Sequence, residues 1–190
     1  IMLTQTQALG STANVFYSKR NEKFGVSLYG SGHYQKAYDP EDDDFSNLPK
    51  TTSISFNPKF FYYPSEKTTF WFGLNGTYDD RIGGDITKIE SGENGIHQYT
   101  EENVSKRLSS QAVYETQIDS VSSLTIKNSI SFFDRELTIP DFTFDGKQTN
   151  TFTEINYQKS ANKTDWIFGA NLYTSDFDEN DNATLQRDQT

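Results

Sequence analysis

Apolar and polar side chains alternate along most of the chain with a period of two. Between residues 24 and 34, for example, Phe24 and Val26 share one face, and smaller or polar residues share the other. The same alternation recurs at 52–62 and 68–78. A period of two is typical of a β-strand with one apolar face, and no segment has a helical period long enough to compete. The sequence therefore predicts an all-β protein.

The alternation can be divided into eight segments, and each predicts one strand. Gly10 and Ser11 break the phase of the first, which predicts a β-bulge there. Pro58 lies inside the third, where it removes one donor from the hydrogen-bond ladder. The predicted strands span roughly 4–19, 23–36, 50–62, 67–80, 102–116, 122–135, 148–158 and 164–176.

The connections between these strands alternate between short and long. The short ones fall at 20–22, 64–66, 117–121 and 159–163, and the long ones at 36–49, 81–101 and 136–147. Transmembrane β-barrels of the outer membrane have tight turns on the periplasmic side and long loops outside. Greek-key sandwiches would scatter the two lengths. The pattern favours an antiparallel transmembrane β-barrel, with strands long enough to cross a bilayer at a tilt.

Aromatic side chains occur at the ends of the short hairpins. Aromatic residues at the end of every short hairpin would form a ring at one level. A ring of this kind is typical of the girdle that holds a membrane protein at the lipid headgroups. The opposite strand face carries Lys59, Arg107, Lys127 and Glu154, as a wet lumen would allow, whereas Lys106 falls on the lipid side near the outer end of its strand. The predicted girdle consists of Tyr17, Phe24, Tyr62, Phe70, Tyr114, Tyr157 and Trp166.

Composition agrees with this interpretation and excludes other classes. Only 33% of the 190 residues are hydrophobic, and 15% of the chain is aromatic, so a conventional aliphatic core is hard to fill. The net charge of −10 argues against binding to nucleic acid. There is no cysteine, which excludes disulfides and thiolate chemistry. No apolar run is long enough for a transmembrane helix, and no signal peptide is visible.

Four segments resemble the barrel strands of a known family. They are FGVSLYG at 24–30, FNPKFFYYP at 56–64, SFFDR at 131–135 and WIFGANL at 166–172. This texture resembles TonB-dependent outer-membrane receptors, in particular ferric-siderophore and colicin receptors of the Bacteroidota type. The resemblance covers essentially the whole chain, but it lies in strand texture rather than in a catalytic signature.

The resemblance implies a 22-stranded barrel in the bacterial outer membrane, closed inside by a plug domain and energised by the periplasmic partner TonB. Residues 1–190 are then expected to be part of that barrel, without the plug or the TonB-contacting segment. The implied function is uptake of a scarce small molecule, most simply a ferric siderophore, with cobalamin or another nutrient as a neighbour. An eight-stranded barrel complete in itself is the alternative organisation.

Ligand capture in such a receptor is expected at the outer loops and the upper lumen. Arginine and aromatic side chains there suit anionic or ring-bearing ligands. The acidic segments 39–44 and 176–181 are interpreted as solvated loops rather than calcium sites. The two histidines, His33 and His97, give no metal or catalytic motif. The candidate ligand residues are Tyr29, His33, Tyr38, Arg81, Tyr99, Arg135 and Tyr173.

No enzyme and no cofactor is predicted, because no catalytic motif is present. Two other functions stay open at this point. One is a small structural or adhesive outer-membrane barrel, and the other is a soluble all-β module that binds its ligand with exposed aromatics. Placing Phe56, Phe72, Ile126 and Phe168 between two sheets would exclude the membrane interpretation.

Overall fold

A computed structural model describes residues 1–161 and 163–179, and it contains nine strands and one short helix in this part of the chain. The helix α1 spans Ile86–Ser91. The strands are β1 Met2–Gln5, β2 Gly10–Arg20, β3 Phe24–Gln35, β4 Lys50–Ser65, β5 Thr68–Gly84, β6 Thr100–Gln117, β7 Ser122–Ile139, β8 Phe142–Ala161 and β9 Thr164–Glu179.

The nine strands form one sheet in the order β1 to β9, and each pairs antiparallel with the next strand in the sequence. The all-β class and the meandering antiparallel topology predicted from the sequence are therefore confirmed. Among the described residues β1 and β9 are the two edges, so the sheet is open.

The predicted first strand is wrong, because residues 4–19 form parts of two strands. The chain reverses at residues 6–9, where the Thr6 N–H donates to the Gly10 carbonyl at 2.8 Å. Leu9 takes a left-handed conformation with φ 60°. The break in phase at Gly10 and Ser11 thus marks a hairpin turn rather than a bulge, and it raises the strand count from eight to nine.

One of the three predicted long loops is also wrong. β7 continues to Ile139 and β8 starts at Phe142, so only Pro140 and Asp141 connect them, instead of residues 136–147. The polar composition of that segment suggested a loop, but its backbone continues the ladder. The other two long connections are present, at 36–49 and 85–99. Pro58 remains within β4, where the ladder to β5 omits Asn57 and Pro58.

Cross-strand pairing sorts the side chains of β2–β9 onto two faces. We call the face that carries Val26, Phe60 and Phe72 the apolar face, since these residues are paired in one row. The other is the polar face. Large side chains exposed on the apolar face include Val15, Tyr17, Phe24, Ile54, Phe56, Phe60, Tyr62, Phe70, Leu74, Leu108, Tyr114, Ile126, Phe132, Ile155, Trp166, Phe168 and Leu172.

No second layer covers the apolar face in the described part of the chain. The only buried hydrophobic residues there are Ile89 and Val113. Phe56 and Phe168 are 53% and 60% exposed. Neither they nor Phe72 and Ile126 are sealed between two sheets. Within residues 1–161 and 163–179, no helix has the length and hydrophobicity required to cross a membrane.

Candidate functional site

Four of the seven predicted girdle residues form a continuous row across the sheet. Phe24 pairs with Tyr62, Tyr62 with Phe70, and Phe70 with Tyr114. The rings of Phe24 and Tyr62 stack with their centroids 5.2 Å apart. We call this the girdle row; across β7, β8 and β9 it continues through Ile126, Ile155 and Ala170.

The other three girdle residues depart from the row in a regular way. Tyr17 pairs with Leu28, four residues farther from the short turns than Phe24. Tyr157 lies two residues closer to those turns than the β8 member of the row, and Trp166 lies four residues closer than the β9 member. The lower aromatic border is therefore level from β3 to β6, four residues higher on β2, and two and four residues lower on β8 and β9.

The upper border of the apolar face descends in the same direction. Measured from the girdle row, the first charged side chain occurs after ten residues in β5, after eight in β6, β7 and β8, and after six in β9. These residues are Asp80, Lys106, Asp134, Lys147 and Asp176. Lys106, Asp134 and Lys147 lie directly opposite one another, so positive and negative charges alternate.

Averaged from β2 to β9 at the lower border and from β5 to β9 at the upper one, the slant of the apolar band is about one residue per strand. With ~3.3 Å per residue and ~4.8 Å between strands, that slant corresponds to strands inclined at about 35° to the normal of the band. Transmembrane barrels cross the bilayer with strand tilts of roughly 35–45°. The band has the geometry of a flat apolar slab crossed by tilted strands.

Above the band, the loop 85–99 is organised by a single carboxylate. Asp85 is fully buried and accepts backbone N–H bonds from Lys88 at 3.0 Å, His97 at 2.8 Å and Gln98 at 3.1 Å. The bond from Lys88, at the start of α1, contributes most to holding the pKa of Asp85 below its ordinary value; the His97 and Gln98 amides add to this effect, while desolvation opposes it. A Cβ at Gly95 would collide with this carboxylate.

The loop 36–49 packs against the loop 85–99. The His97 ring lies edge-on to Phe45, with centroids 5.4 Å apart, and its Nε2 is 2.8 Å from the Asp43 carbonyl. The Ile86 N–H donates to the Asp44 carbonyl at 3.0 Å. We call residues 36–49 and 85–99 together the loop pair. Two connections far apart in the sequence thus form one surface above β3–β6.

The acidic segment 39–44 is ordered by its own backbone. Asp39 accepts N–H bonds from Glu41, Asp42 and Asp44 at 3.1, 2.9 and 2.8 Å. In the part of the chain that the structure describes, no group of three or more His, Asp or Glu side chains is placed to hold a metal ion. In the second acidic segment, residues 176–179 belong to β9, and the rest lies outside the described residues.

On the polar face, charged side chains meet at the upper ends of β5, β6 and β7. The Arg81 guanidinium approaches the Asp79 carboxylate to 2.5 Å, and Asp79 also accepts from the Ser53 hydroxyl. The Arg107 guanidinium lies 4.5 Å from the centroid of the Phe133 ring. These residues line an open groove of about 340 Å³, which we call the upper groove.

The candidate ligand residues are divided between three places. His33 and Arg135 lie on the polar face in the same cross-strand row as Asp79, and Arg81 lies beside it, so these three are close to the upper groove. Tyr38 and Tyr99 both belong to the loop pair.

Tyr29 and Tyr173 are on the polar face but separated from each other by the strands β4–β8. Each donates its hydroxyl to an asparagine on the neighbouring strand, Tyr29 to Asn14 at 2.9 Å and Tyr173 to Asn150 at 3.0 Å. The seven candidates therefore do not form one site within the described sheet.

Sequence reasoning missed the residues that hold these places together. Asp85 could have been found as a helix N-cap, because aspartate is favoured at that position. Gly92, a residue type favoured at helix C-termini, follows the last residue of α1. Asp79 and Phe133 gave no sequence signal, since Asp79 lies opposite Ser53, and Phe133 opposite Arg107, only through register.

A second cluster lies on the polar face at the end with the short turns. The Arg20 guanidinium lies 3.9 Å from the centroid of Tyr63, and the Lys59 ammonium lies 4.8 Å from the centroid of Trp71. Phe61 packs between the two aromatic rings. Each cation is held against a ring, which anchors this end of the polar face.

No family model, no curated protein and no solved structure matches this chain. The geometry of the sheet is therefore the basis for assigning a class of protein.

Proposed function

We propose that the chain is part of the β-barrel of a TonB-dependent outer-membrane receptor that takes up a scarce ligand, most simply a ferric siderophore. In this proposal the nine-stranded sheet belongs to a closed barrel of 22 strands. The apolar face meets lipid, the polar face lines the lumen and contacts the plug domain, and the loop pair is extracellular.

The slanted apolar band is the observation that carries this proposal. A bilayer is a flat slab, so tilted strands must enter and leave it at staggered residues. Aromatic residues lie at one border and charges at the other, and both borders are lower on β8 and β9 than on β5. From Phe70 to Tyr78, the band on β5 rises roughly 20 Å along its normal, which agrees with the ~25 Å apolar height of such barrels once the terminal rings are included.

The polar face supports the transport part of the proposal. Charges on a lipid face at mid-depth cost about 2–4 kcal/mol each, whereas charges inside a wet lumen are tolerated. Lys127 and Glu154 pair at 2.8 Å on the polar face, level with the girdle row of the apolar face. The loop pair and the upper groove lie at the same end of the sheet, where a ligand would enter from outside.

Uptake experiments test this proposal in the organism that carries the gene. We expect the full-length protein in the outer-membrane fraction, and we expect its deletion to abolish uptake of at least one radiolabelled ferric complex under iron limitation. Deletion of TonB should abolish the same uptake. Uptake that persists without TonB would contradict the proposal.

The two other functions left open by the sequence predict different behaviour of the 190-residue chain. A small structural barrel would refold alone in detergent micelles as a closed species whose gel mobility changes on heating. A soluble binding module would be monodisperse in buffer without detergent. We expect neither result, because the sheet formed by the described residues has two unpaired edges and an exposed apolar face.

A further inference from the structure

We propose that Arg107, held over the ring of Phe133, binds a planar oxyanion of the imported ligand in the upper groove. This inference rests on the proposed function, because it assigns a ligand class to the lumen side of the same barrel. It adds a residue that was not among the candidate ligand residues and commits to the charge of the ligand.

The position of the Arg107 guanidinium is the first feature that favours an oxyanion as the ligand. The Arg107 guanidinium carbon lies over the Phe133 ring, 4.5 Å from its centroid, and within residues 1–161 and 163–179 no hydrogen bond or ion pair engages its N–H edges. Those edges form a fork that matches two oxygens of a carboxylate or catecholate. Stacking also restricts the rotamers of a long side chain before the ligand arrives, which lowers the entropic cost of binding.

The positive charge of Arg107 is the second feature that favours an anionic ligand. Arg107 makes no ion pair within residues 1–161 and 163–179, although the whole chain carries a net charge of −10. The nearest carboxylate on its face, Asp79, is already engaged by Arg81 and Ser53. Arg135, diagonal to Arg107 on β7, donates only to the Asn103 amide oxygen, at 3.2 Å. Two neighbouring guanidinium groups therefore have no ion-pair partner among the residues that the structure describes.

The lining of the upper groove is the third feature that favours an anionic ligand. Beside Arg107 it presents the short hydroxyl side chains of Ser31, Ser55 and Thr77. These groups donate hydrogen bonds without filling space. A second anionic oxygen or a coordinated metal complex has room above them, and the groove is open towards the lumen.

Equilibrium binding to the purified full-length protein tests the site. The probes are two anionic complexes, ferric citrate and a ferric tricatecholate, and one neutral complex, a ferric trihydroxamate. We expect the wild type to bind at least one anionic complex, and Arg107→Gln to weaken that binding at least tenfold. Arg107→Lys should recover only part of it, because a lysine cannot form the fork.

Arg20→Gln is the matched control. Arg20 is also stacked on a ring, Tyr63, but at the other end of the polar face, so its loss should change affinity less than twofold. Phe133→Leu, which removes the stacking surface but keeps an apolar side chain, should weaken binding about three- to tenfold. A folded Arg107→Gln protein with unchanged affinity would overturn the site.

Failure of this inference can be separated from failure of the proposed function. TonB-dependent uptake of only the neutral complex would overturn the oxyanion site and leave the receptor function standing. Binding of an anionic complex through Arg107, with no TonB-dependent uptake of any complex, would support the site and overturn the receptor function.

Discussion

The backbone N–H of His97 donates a 2.8 Å hydrogen bond to the buried carboxylate of Asp85, twelve residues earlier in the chain. The same carboxylate caps α1 through Lys88. The Asp85 N–H in turn donates to the Tyr99 carbonyl at 2.8 Å. One residue thus closes a loop of about fifteen residues at both of its ends, and the first long loop docks on the result through Phe45.

Removal of this carboxylate should loosen the loop pair without unfolding the sheet. Asp85→Ala leaves three backbone N–H groups without an acceptor in a site closed to water. We expect amide hydrogen exchange in residues 86–99 to become at least tenfold faster, and exchange in β5 and β6 to change little. Glu90→Ala, an exposed acid on α1, is the control and should leave exchange unchanged. Equal acceleration in both variants would contradict the assigned role of Asp85.

The order of the loop pair should also depend on pH in one direction. The pKa of Asp85 is lowered from its ordinary value of 3.8, mainly by the bond from the Lys88 amide. A lowered folded-state pKa means that the ionised form is favoured by folding, so its contribution is fully present above pH 3.8 and is lost as pH falls through the lower folded value. Exchange protection of 86–99 should persist at pH 5. Asp85→Asn should remove this dependence, and protection lost between pH 6 and 5 would contradict it.

The difference between what the sequence predicted and what it missed follows from register. Alternation at Phe24 or Phe70 is local, so strands and faces are visible in the sequence. The girdle row is not, because Phe24 and Tyr62 become neighbours only when two strands align. The stagger of Tyr17 and Trp166 is a sum of seven such alignments.

Polar composition misled the interpretation where strands leave the apolar band. The β7–β8 ladder continues past Phe132 and Asp134 to Ile139, although its side chains are no longer consistently apolar on one face. A loop and a solvated hairpin have similar compositions there. Likewise, the segment 6–9 has no Gly-Asn or Asn-Gly signal, so its reversal was interpreted as a bulge.

The row of alternating charges at the upper border should behave as a coupled set. Lys106 lies directly opposite Asp134, which lies directly opposite Lys147. Reversing one charge, as in Lys106→Asp, places like charges opposite each other and should destabilise the sheet by about 0.2–1 kcal/mol. The double swap with Asp134→Lys brings Lys147 against a new lysine, so it should recover only part of the loss. A double-mutant cycle of urea unfolding in vesicles measures the coupling. A coupling free energy of zero at low salt would show that the charged side chains in this row do not interact.

The two-residue connection at the top of the β7–β8 hairpin can be tested at Asp141. This residue has φ 65°, in the left-handed region that a side chain with a branched Cβ avoids. Asp141→Val should therefore destabilise the hairpin by about 1–2 kcal/mol, whereas Asp141→Gly should be neutral or slightly stabilising. Glu136→Val, an exposed residue on an extended part of β7, serves for comparison. If residues 136–147 formed a long loop instead, Asp141→Val would have almost no effect on thermal unfolding.

Neighbouring substitutions on β5 decide whether lipid covers the apolar face. Leu74 is near the middle of the band and 38% exposed, and Asn75 is the next residue, on the polar face. Arginine at mid-depth on a lipid face costs about 2–4 kcal/mol, whereas arginine in a wet lumen is tolerated. Leu74→Arg should therefore destabilise the full-length protein in vesicles by that amount, and Asn75→Arg should change its stability by less than about 1 kcal/mol. If the face were solvated instead, Leu74→Arg would cost no more than Asn75→Arg. Equal effects of the two variants in urea titrations would thus remove the membrane assignment, because only a hydrocarbon neighbour distinguishes these two adjacent residues.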